Sequence, residues 1–361
     1  MGHLGAPDDA GQRVVSRLFA RAVAGRIPLN GSIAMTHRCH LRCVHCYLGG
    51  ERQARPEAGE QDTAFWRSVI DQVADAGCLN LLITGGEPLL RPDFAELYAR
   101  AGQRGMLVTV FTNATLVDDR IVHLFERFSP ELVEVTLYGA TAEVYEQVTG
   151  VRGSYRRCLE GVDALQERGI RVGLKTVVLQ ENRHEVAAMR AIAGERRVSF
   201  RIDAALFPCR DGCTSPLGHR ISPAEAVALE MEDAKLLRDT AAYFEGKRGL
   251  PPEDRLFTCL AGLTSFHVDP EGTLLPCLMV QTHGFDLRRG AFRAGWEGVL
   301  SRFREQEIGP EYECHRCEKR FLCGACPAQA GMETGSPHRK AEYLCQLGDE
   351  RLRAIAPLLD K

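Results

Sequence analysis

The sequence predicts an α/β protein, a partial (β/α)6 TIM-like barrel followed by a small cysteine-rich domain. From residue 30 to 207, short β-branched runs alternate with amphipathic helical patterns, which favours parallel strands with right-handed crossovers. Six such units are too few for a closed eight-unit barrel of about 250 residues. After Leu250 the periodicity fades and cysteine, glycine and turn residues dominate. This composition is typical of a small domain whose core is a metal cluster rather than aliphatic packing.

The predicted elements follow in a regular order. An amphipathic helix over Arg13–Arg26 comes first. A typical barrel helix follows over Asp62–Gly77, with Asp62 or Thr63 as its N-cap and Gly77 past its end. One long helix is expected over Ser222–Gly246, because a Ser-Pro pair opens it. The predicted strands are Gly31–Thr36, Leu79–Gly85, Met106–Asn113, Leu132–Gly139, Arg171–Leu179 and Val198–Phe207.

Three regions are therefore expected along the chain. An N-terminal helix occupies residues 1–29, the barrel with its bridging helix occupies 30–246, and the cysteine-rich domain occupies 247–361. We place the second boundary between Gly246 and Pro252, where the helical pattern gives way to loop residues.

Charge and the N-terminal sequence limit the function classes. The formal net charge is −3 over 361 residues, so electrostatics gives no reason to expect nucleic acid or an anionic membrane as a partner. The first residues lack the basic and apolar segments of a signal peptide, and no apolar run is long enough to span a membrane. We expect a cytoplasmic protein.

Cysteine content is the unusual feature of the composition. The chain has 14 cysteines, and a disulfide framework is not expected in a reducing compartment. Ten of them fall into two groups, one near the N-terminus and one after Thr258. Their grouping indicates metal ligation.

The first group is a Cys-x3-Cys-x2-Cys triplet, Cys39, Cys43 and Cys46, directly after the first predicted strand. Loops at the carboxyl ends of barrel strands carry the active sites of such folds. Three thiolates suit an iron–sulfur cluster that leaves one iron open for another ligand. Three reduced loop thiols are the simpler alternative, but this spacing arises by chance in only roughly 2% of chains with this cysteine content.

The triplet together with Thr-Gly-Gly-Glu-Pro at 84–88 resembles the radical S-adenosylmethionine (SAM) enzymes. The resemblance implies that the open iron of a 4Fe-4S cluster binds the methionine part of SAM. It also implies that Gly85, Gly86 and Glu87 present backbone and carboxylate groups to the methionine ammonium.

The same resemblance suggests further SAM contacts. His45 and Tyr47 occupy positions near the adenine, with shielding of the cluster as the alternative. Asn113, Thr136 and Lys175 fall at or near the ends of predicted strands, where they bind SAM or cap ordinary loops. Arg201 pairs with the SAM carboxylate or forms a plain ion pair. This chain has Thr-Asn-Ala at 112–114, where the family often has Thr-Asn-Gly.

The second group resembles the SPASM extension of radical SAM enzymes, which holds two auxiliary 4Fe-4S clusters. The resemblance assigns Cys314, Cys317, Cys323 and Cys345 to one cluster, and Cys259, Cys277 and Cys326 to the other. Two departures are visible: only two residues separate Cys323 from Cys326, and Glu253 and Asp254 stand where an eighth cysteine is expected.

Four cysteines lie outside these groups. Cys209 and Cys213 either supply a missing cluster ligand or are free loop thiols, whereas Cys78 and Cys158 fit core packing. Zinc is the alternative for the second group, because paired Cys-x2-Cys motifs also make zinc sites. Seven cysteines divide poorly into closed four-ligand zinc sites.

The resemblance implies a radical SAM oxidoreductase. Such an enzyme cleaves SAM to a 5′-deoxyadenosyl radical, abstracts a substrate hydrogen and passes an electron to the auxiliary clusters. The SPASM branch suggests peptide modification of the RiPP type. Dehydrogenation of a small molecule, such as an aminocyclitol or sugar, is the second hypothesis, and a zinc-stabilised non-catalytic binding protein is a third.

Partners follow from the same resemblance. An electron donor such as flavodoxin or ferredoxin is expected. Fewer than 30 residues precede the first predicted strand, too few for a leader-binding module. A separate recognition protein is therefore expected to deliver a peptide substrate.

Overall fold

The fold is known from a computed structural model that describes residues 9–49, 59–252 and 254–359. The strands are β1 Asn30–Ala34, β2 Asn80–Thr84, β3 Leu107–Thr112, β4 Leu132–Thr136, β5 Val172–Val177, β6 Ser199–Asp203, β7 Ser265–Val268, β8 Thr273–Leu275 and β9 Phe285–Asp286. The first nine helices are α1 Asp9–Gly25, α2 Thr63–Asp75, α3 Phe94–Gln103, α4 Asp119–Arg127, α5 Ala142–Thr149, α6 Ser154–Glu167, α7 Val186–Glu195, α8 Pro223–Met231 and α9 Ala234–Lys247. The remaining helices are α10 Phe292–Ala294, α11 Leu300–Arg304, α12 Arg320–Cys323, α13 Pro327–Thr334 and α14 Glu342–Leu359, with a short π-helix over Gly295–Val299 between α10 and α11.

The predicted six-stranded parallel sheet is confirmed. Its order is β6-β5-β4-β3-β2-β1, and each adjacent pair is parallel. The sheet then continues through β7, parallel to β1, and through antiparallel β8 and β9. These last three strands belong to the cysteine-rich region, which therefore extends the barrel sheet.

The expectation that a cluster alone forms the core of the cysteine-rich region is wrong for its first part. Phe266, Val268, Trp296 and Leu300 are buried in the same apolar cluster as the barrel helices. Each such side chain contributes roughly 1.5–3 kcal/mol on burial. The boundary at residue 246 thus remains a prediction, and the main apolar core crosses it.

Two helices differ from their predicted form. The expected long helix is two helices, α8 and α9, because the Asp233 carboxylate accepts hydrogen bonds from the Lys235 and Leu236 amides and starts a new helix. In α1, Val14, Val15 and Leu18 are exposed, while Ala22 is buried. No helix in the described part of the chain is both long and apolar enough to cross a bilayer.

Side chains alternate between two faces of the sheet. Ile33, Val110 and Leu174 enter the apolar core, so Ser32 and Glu134 lie on the opposite, polar face. On that face Ser32 Oγ lies 2.6 Å from His267 Nδ1. Beside the sheet is a cavity of about 950 Å³, whose wall includes Phe111, Glu134 and Arg201 on one side and residues of α8, α9 and α14 on the other.

Candidate active site

The cysteine triplet lies on the loop that follows β1, at the carboxyl edge of the sheet. Turns close the loop locally, with the Cys46 amide donating to the Cys43 carbonyl at 3.2 Å. The Arg42 and Val44 amides donate to the last carbonyls of α5 at 2.7 and 3.0 Å. All three cysteines are partly buried. Burial raises the pKa of Tyr138, and the negative charges of all three nearby thiolates raise it further. The structure therefore brings the predicted thiols together around one ring.

Two glycines hold a second loop against the cysteine loop. The Gly86 amide donates to the Thr36 carbonyl at 2.7 Å, and the Glu87 amide donates to the Arg38 carbonyl at 2.8 Å. Gly85 has φ +152°, and a Cβ on Gly86 would lie 2.3 Å from the Arg38 carbonyl oxygen. No larger residue fits this approach. The Gly-Gly pair thus positions the cysteine loop as well as the ligand side of the site.

The Glu87 side chain is completely buried. Its carboxylate accepts hydrogen bonds from the Thr112 hydroxyl at 2.8 Å, the Asn113 amide at 2.8 Å and the Leu89 amide at 3.1 Å. Burial raises the pKa of Glu87 to about 7, although these three donors oppose the shift. The carboxylate therefore joins the end of β2 to the end of β3. Its predicted contact with the methionine ammonium stays a prediction.

Asn113 lies beside the triplet. Its side-chain amide nitrogen is 4.0 Å from the Cys39 sulfur, and its Oδ1 accepts from the Thr115 amide at 3.0 Å. The next residue, Ala114, is buried with φ +59°, a conformation that costs an L-residue roughly 1–2 kcal/mol. The backbone here has the form that glycine prefers, which explains the family's usual Thr-Asn-Gly.

His45 and Tyr47 lie on either side of Cys46. The buried His45 ring packs edge-on against Tyr138, with centroids 4.9 Å apart. The Tyr47 ring packs against Phe207 at 5.7 Å. The Tyr138 hydroxyl lies in hydrogen-bond contact with Cys43. Sequence reasoning missed Tyr138, because only the fold brings the end of β4 to the triplet.

Lys175 and Arg201 share one carboxylate. Lys175 Nζ lies 3.0 Å from Glu134 Oε2 and over the Phe111 ring, while Arg201 binds Glu134 through two hydrogen bonds of 3.2 and 2.8 Å. Burial lowers the pKa of Lys175 to about 8, and Glu134 opposes the shift. Thr136 is the register partner of Lys175. The plain ion pair considered for Arg201 is present, and a SAM contact for these three residues stays a prediction.

The second cysteine group forms two sets that meet at Cys326. Mutual electrostatic effects link Cys277 with Cys259 and Cys326. The other four surround one pocket, with Tyr312 and Leu344 in its wall. Cys326 also reaches this pocket, whose cysteine lining is Cys314, Cys317, Cys323, Cys326 and Cys345. The assignment of these cysteines to two separate clusters stays a prediction.

Backbone amides point at several of these sulfurs. The Cys326 sulfur accepts from the Ala328 and Gln329 amides at the first turn of α13, a position that favours negative charge. Gly324 adopts φ +62° and turns the chain between Cys323 and Cys326, so the shorter spacing still brings Cys326 to Cys277. Glu253, the first of the two residues at the position of the eighth cysteine, lies outside the described residues.

The two cysteine regions are neighbours through the sheet. Because β7 pairs with β1, the β7–β8 turn reaches the triplet loop, where Glu271 binds His37 Nε2 at 2.9 and 3.0 Å. Among the described residues, no three His, Cys, Asp or Glu side chains converge as ligands of one metal ion. A four-iron cluster presents a separate iron to each thiolate, so its ligands need not converge on one point as the ligands of a single ion do.

Three thiols on the first loop and a glycine-rich second loop, at the carboxyl edge of this parallel sheet, form the arrangement of a radical SAM enzyme. The model of the Radical SAM superfamily matches residues 33–192. The enzyme accordingly uses SAM and a 4Fe-4S cluster. The hypothesis of a non-catalytic zinc protein is thereby wrong.

Among particular proteins, the chain is 28% identical over 334 residues to an AdoMet-dependent heme synthase of Methanosarcina barkeri, covering 86% of this chain and 94% of that protein. It is 27% identical over 325 residues to a PqqA peptide cyclase of Xanthomonas euvesicatoria, covering 84% of each. The fold is similar to that of Streptococcus suis SuiB bound to its precursor peptide SuiA, with TM-score 0.71, 18% identity and coverage of 96% of this chain and 82% of SuiB.

Proposed function

We propose that the protein is a radical SAM oxidoreductase that modifies a peptide and carries two auxiliary 4Fe-4S clusters. Cys39, Cys43 and Cys46 hold the SAM cluster. When bound, that cluster and SAM supply the 5′-deoxyadenosyl radical that removes a hydrogen atom from the substrate. The auxiliary ligands are Cys259, Cys277 and Cys326 for one cluster and Cys314, Cys317, Cys323 and Cys345 for the other.

The observation that carries this proposal is the pairing of β7 with β1. It places the cysteine-rich region beside the strand that leads into the triplet loop. This arrangement supports a role for the auxiliary clusters as acceptors of the electron of a substrate radical. For one electron, each ~59 mV of potential difference is a factor of ten in equilibrium constant.

The chain's own residues position SAM and exclude water. Gly85 and Gly86 hold the loop after β2 against the cysteine loop. Asn113 lies beside the Cys39 sulfur. His45 packs with Tyr138 next to the cysteine triplet. Glu134, paired with Lys175 and Arg201, gives the cavity a charged wall. A flavodoxin or ferredoxin is proposed as electron donor, and a separate protein is proposed to deliver the peptide.

The cluster assignment is tested by anaerobic purification with iron and sulfide analysis. About 12 irons per chain are expected from three four-iron clusters. Cys43→Ala should lose about four irons and all SAM cleavage, whereas Cys314→Ala should lose about four irons and retain cleavage. Cys213→Ala is the control and should keep all of the iron. Retained cleavage in Cys43→Ala would contradict the assignment.

The relatives support two substrate classes. The PqqA peptide cyclase favours a peptide, and the heme synthase favours a small molecule as the second candidate. An extract of cells grown in deuterated medium should transfer deuterium to 5′-deoxyadenosine when it contains the substrate. Protease treatment of the extract should abolish this transfer if the substrate is a peptide. Transfer that survives protease would support the small molecule instead.

A further inference from the structure

The four cysteines outside the proposed cluster sites are of two kinds. Cys78 and Cys158 are buried in the apolar core, and burial raises the pKa of each to about 12. Cys209 and Cys213 lie on the loop after β6, which crosses the triplet loop. Only this second pair is placed for thiol chemistry.

The loop brings these two residues into direct contact. The Cys209 amide donates to the Cys213 carbonyl at 2.8 Å, and the Gly212 amide donates to the Cys209 carbonyl at 2.9 Å. These two hydrogen bonds close a short turn that places residues 209 and 213 opposite each other, as a disulfide with Cα atoms roughly 4.4–6.8 Å apart requires. Burial raises the pKa of the Cys209 thiol to about 11 and the nearby Cys213 adds to this shift, so the two side chains are neighbours.

The two thiols have different surroundings. Cys213 is exposed, and its sulfur lies 3.3 Å from the Ser215 hydroxyl, which lowers its pKa. Cys209 is only 2% exposed, and its thiol donates to the Cys46 carbonyl at 3.6 Å. A Cβ on Gly49 would lie 3.1 Å from the Cys209 sulfur. One thiol thus faces solvent while the other packs against the end of the triplet loop.

We propose that Cys209 and Cys213 form a redox-active dithiol that reacts with low-molecular-weight disulfides such as oxidised glutathione. The Cys213 sulfur attacks the glutathione disulfide and releases one glutathione. The Cys209 sulfur then attacks Cys213 in the mixed disulfide and releases the second. Two protein thiols are oxidised, one disulfide is reduced to two thiols, and the two protons pass to the released glutathiones.

The location gives this site a consequence for the cluster loop. In the reduced form the Cys209 thiol donates to the Cys46 carbonyl, and the Arg210 amide donates to the Tyr47 carbonyl at 2.9 Å. The disulfide removes the first of these donors while the second remains. The redox state of the pair therefore changes the hydrogen bonding of the backbone beside Cys46.

Trypsin provides a direct test, because Arg210 lies between the two cysteines. The anaerobic holoenzyme is equilibrated with mixtures of reduced and oxidised glutathione, alkylated and digested. The reduced protein yields two separate alkylated peptides, residues 202–210 and 211–220. We expect oxidised glutathione to join them into one disulfide-linked pair, to leave the iron content unchanged, and to be reversed by excess reduced glutathione.

Single variants assign the two roles. Cys209→Ser should trap glutathione on Cys213, while Cys213→Ser should take up little glutathione because Cys209 is buried. Failure of the wild-type holoenzyme to form the linked peptides would overturn the proposal, whatever the variants do. Linked peptides that form only as iron is lost would also overturn it. The failure of every SAM or substrate assay would leave this result unaffected.

Discussion

At the scale of single residues, Ala114 has a backbone conformation that is unfavourable for any residue other than glycine. It is buried with φ +59°. Ala114→Gly should change the free energy of unfolding by no more than about 1 kcal/mol, because relief of strain offsets the lost methyl and the added chain entropy. Ala114→Val should cost roughly 3 kcal/mol or more, since a β-branched residue resists positive φ and overpacks the site. Denaturant unfolding of both variants measures the difference, and equal stabilities would contradict the strain.

Glu87 makes a prediction about pH. Its folded-state pKa of about 7 lies above the ordinary value of 4.5, so the folded state holds the proton more tightly than the unfolded state. This contribution to stability is fully present below pH 4.5 and is lost as pH rises to about 7. It amounts to about 3 kcal/mol at most.

Replacing the carboxyl group removes the titration. Glu87→Gln should therefore flatten the fall in unfolding free energy over that interval, whatever its effect on stability at a single pH. Unfolding curves of wild type and variant at matched pH values provide the measurement. Parallel pH profiles would show that Glu87 does not titrate there.

At the scale of elements, a single substitution can disrupt the contact between the cysteine loop after β1 and the Gly85-Gly86 loop after β2. Gly86→Ala would place a methyl 2.3 Å from a backbone oxygen, so the loops must separate and the SAM cluster should be lost. Gly194→Ala is the matched control, because a Cβ there meets nothing within 4 Å; it should stabilise α7 by up to ~1 kcal/mol. The test is to measure the iron content and the unfolding free energy of both variants. A full iron content in Gly86→Ala would contradict the prediction.

Local patterns were sufficient for some elements and insufficient for others. The β-branched runs of β1 to β6 and the triplet after β1 follow from sequence, because strand propensity and cysteine spacing are local signals. By contrast, β7 has only four residues, with a histidine in place of an apolar one, and it is a strand because β1 offers it an edge. Tyr138 and Glu271 likewise reach the site only through the sheet order.

At the scale of the whole molecule, the barrel and the start of the cysteine-rich region should unfold together. Phe266 packs over Gly31 of the barrel and against Phe292 and Trp296. Its replacement by alanine should cost roughly 3–5 kcal/mol. Since the buried residues of both regions form one cluster, the free energy of unfolding should fall by this amount in both regions.

The two tryptophans allow this to be measured, because Trp66 lies in α2 of the barrel and Trp296 in the cysteine-rich region. Phe266→Ala is introduced into two single-tryptophan backgrounds, Trp66→Phe and Trp296→Phe. If the core is continuous, the unfolding free energy followed by fluorescence falls by the same amount in both. A fall confined to the background that retains Trp296 would mean that the region after residue 246 unfolds by itself. In that case the interface between β7 and β1 would be a contact between two domains.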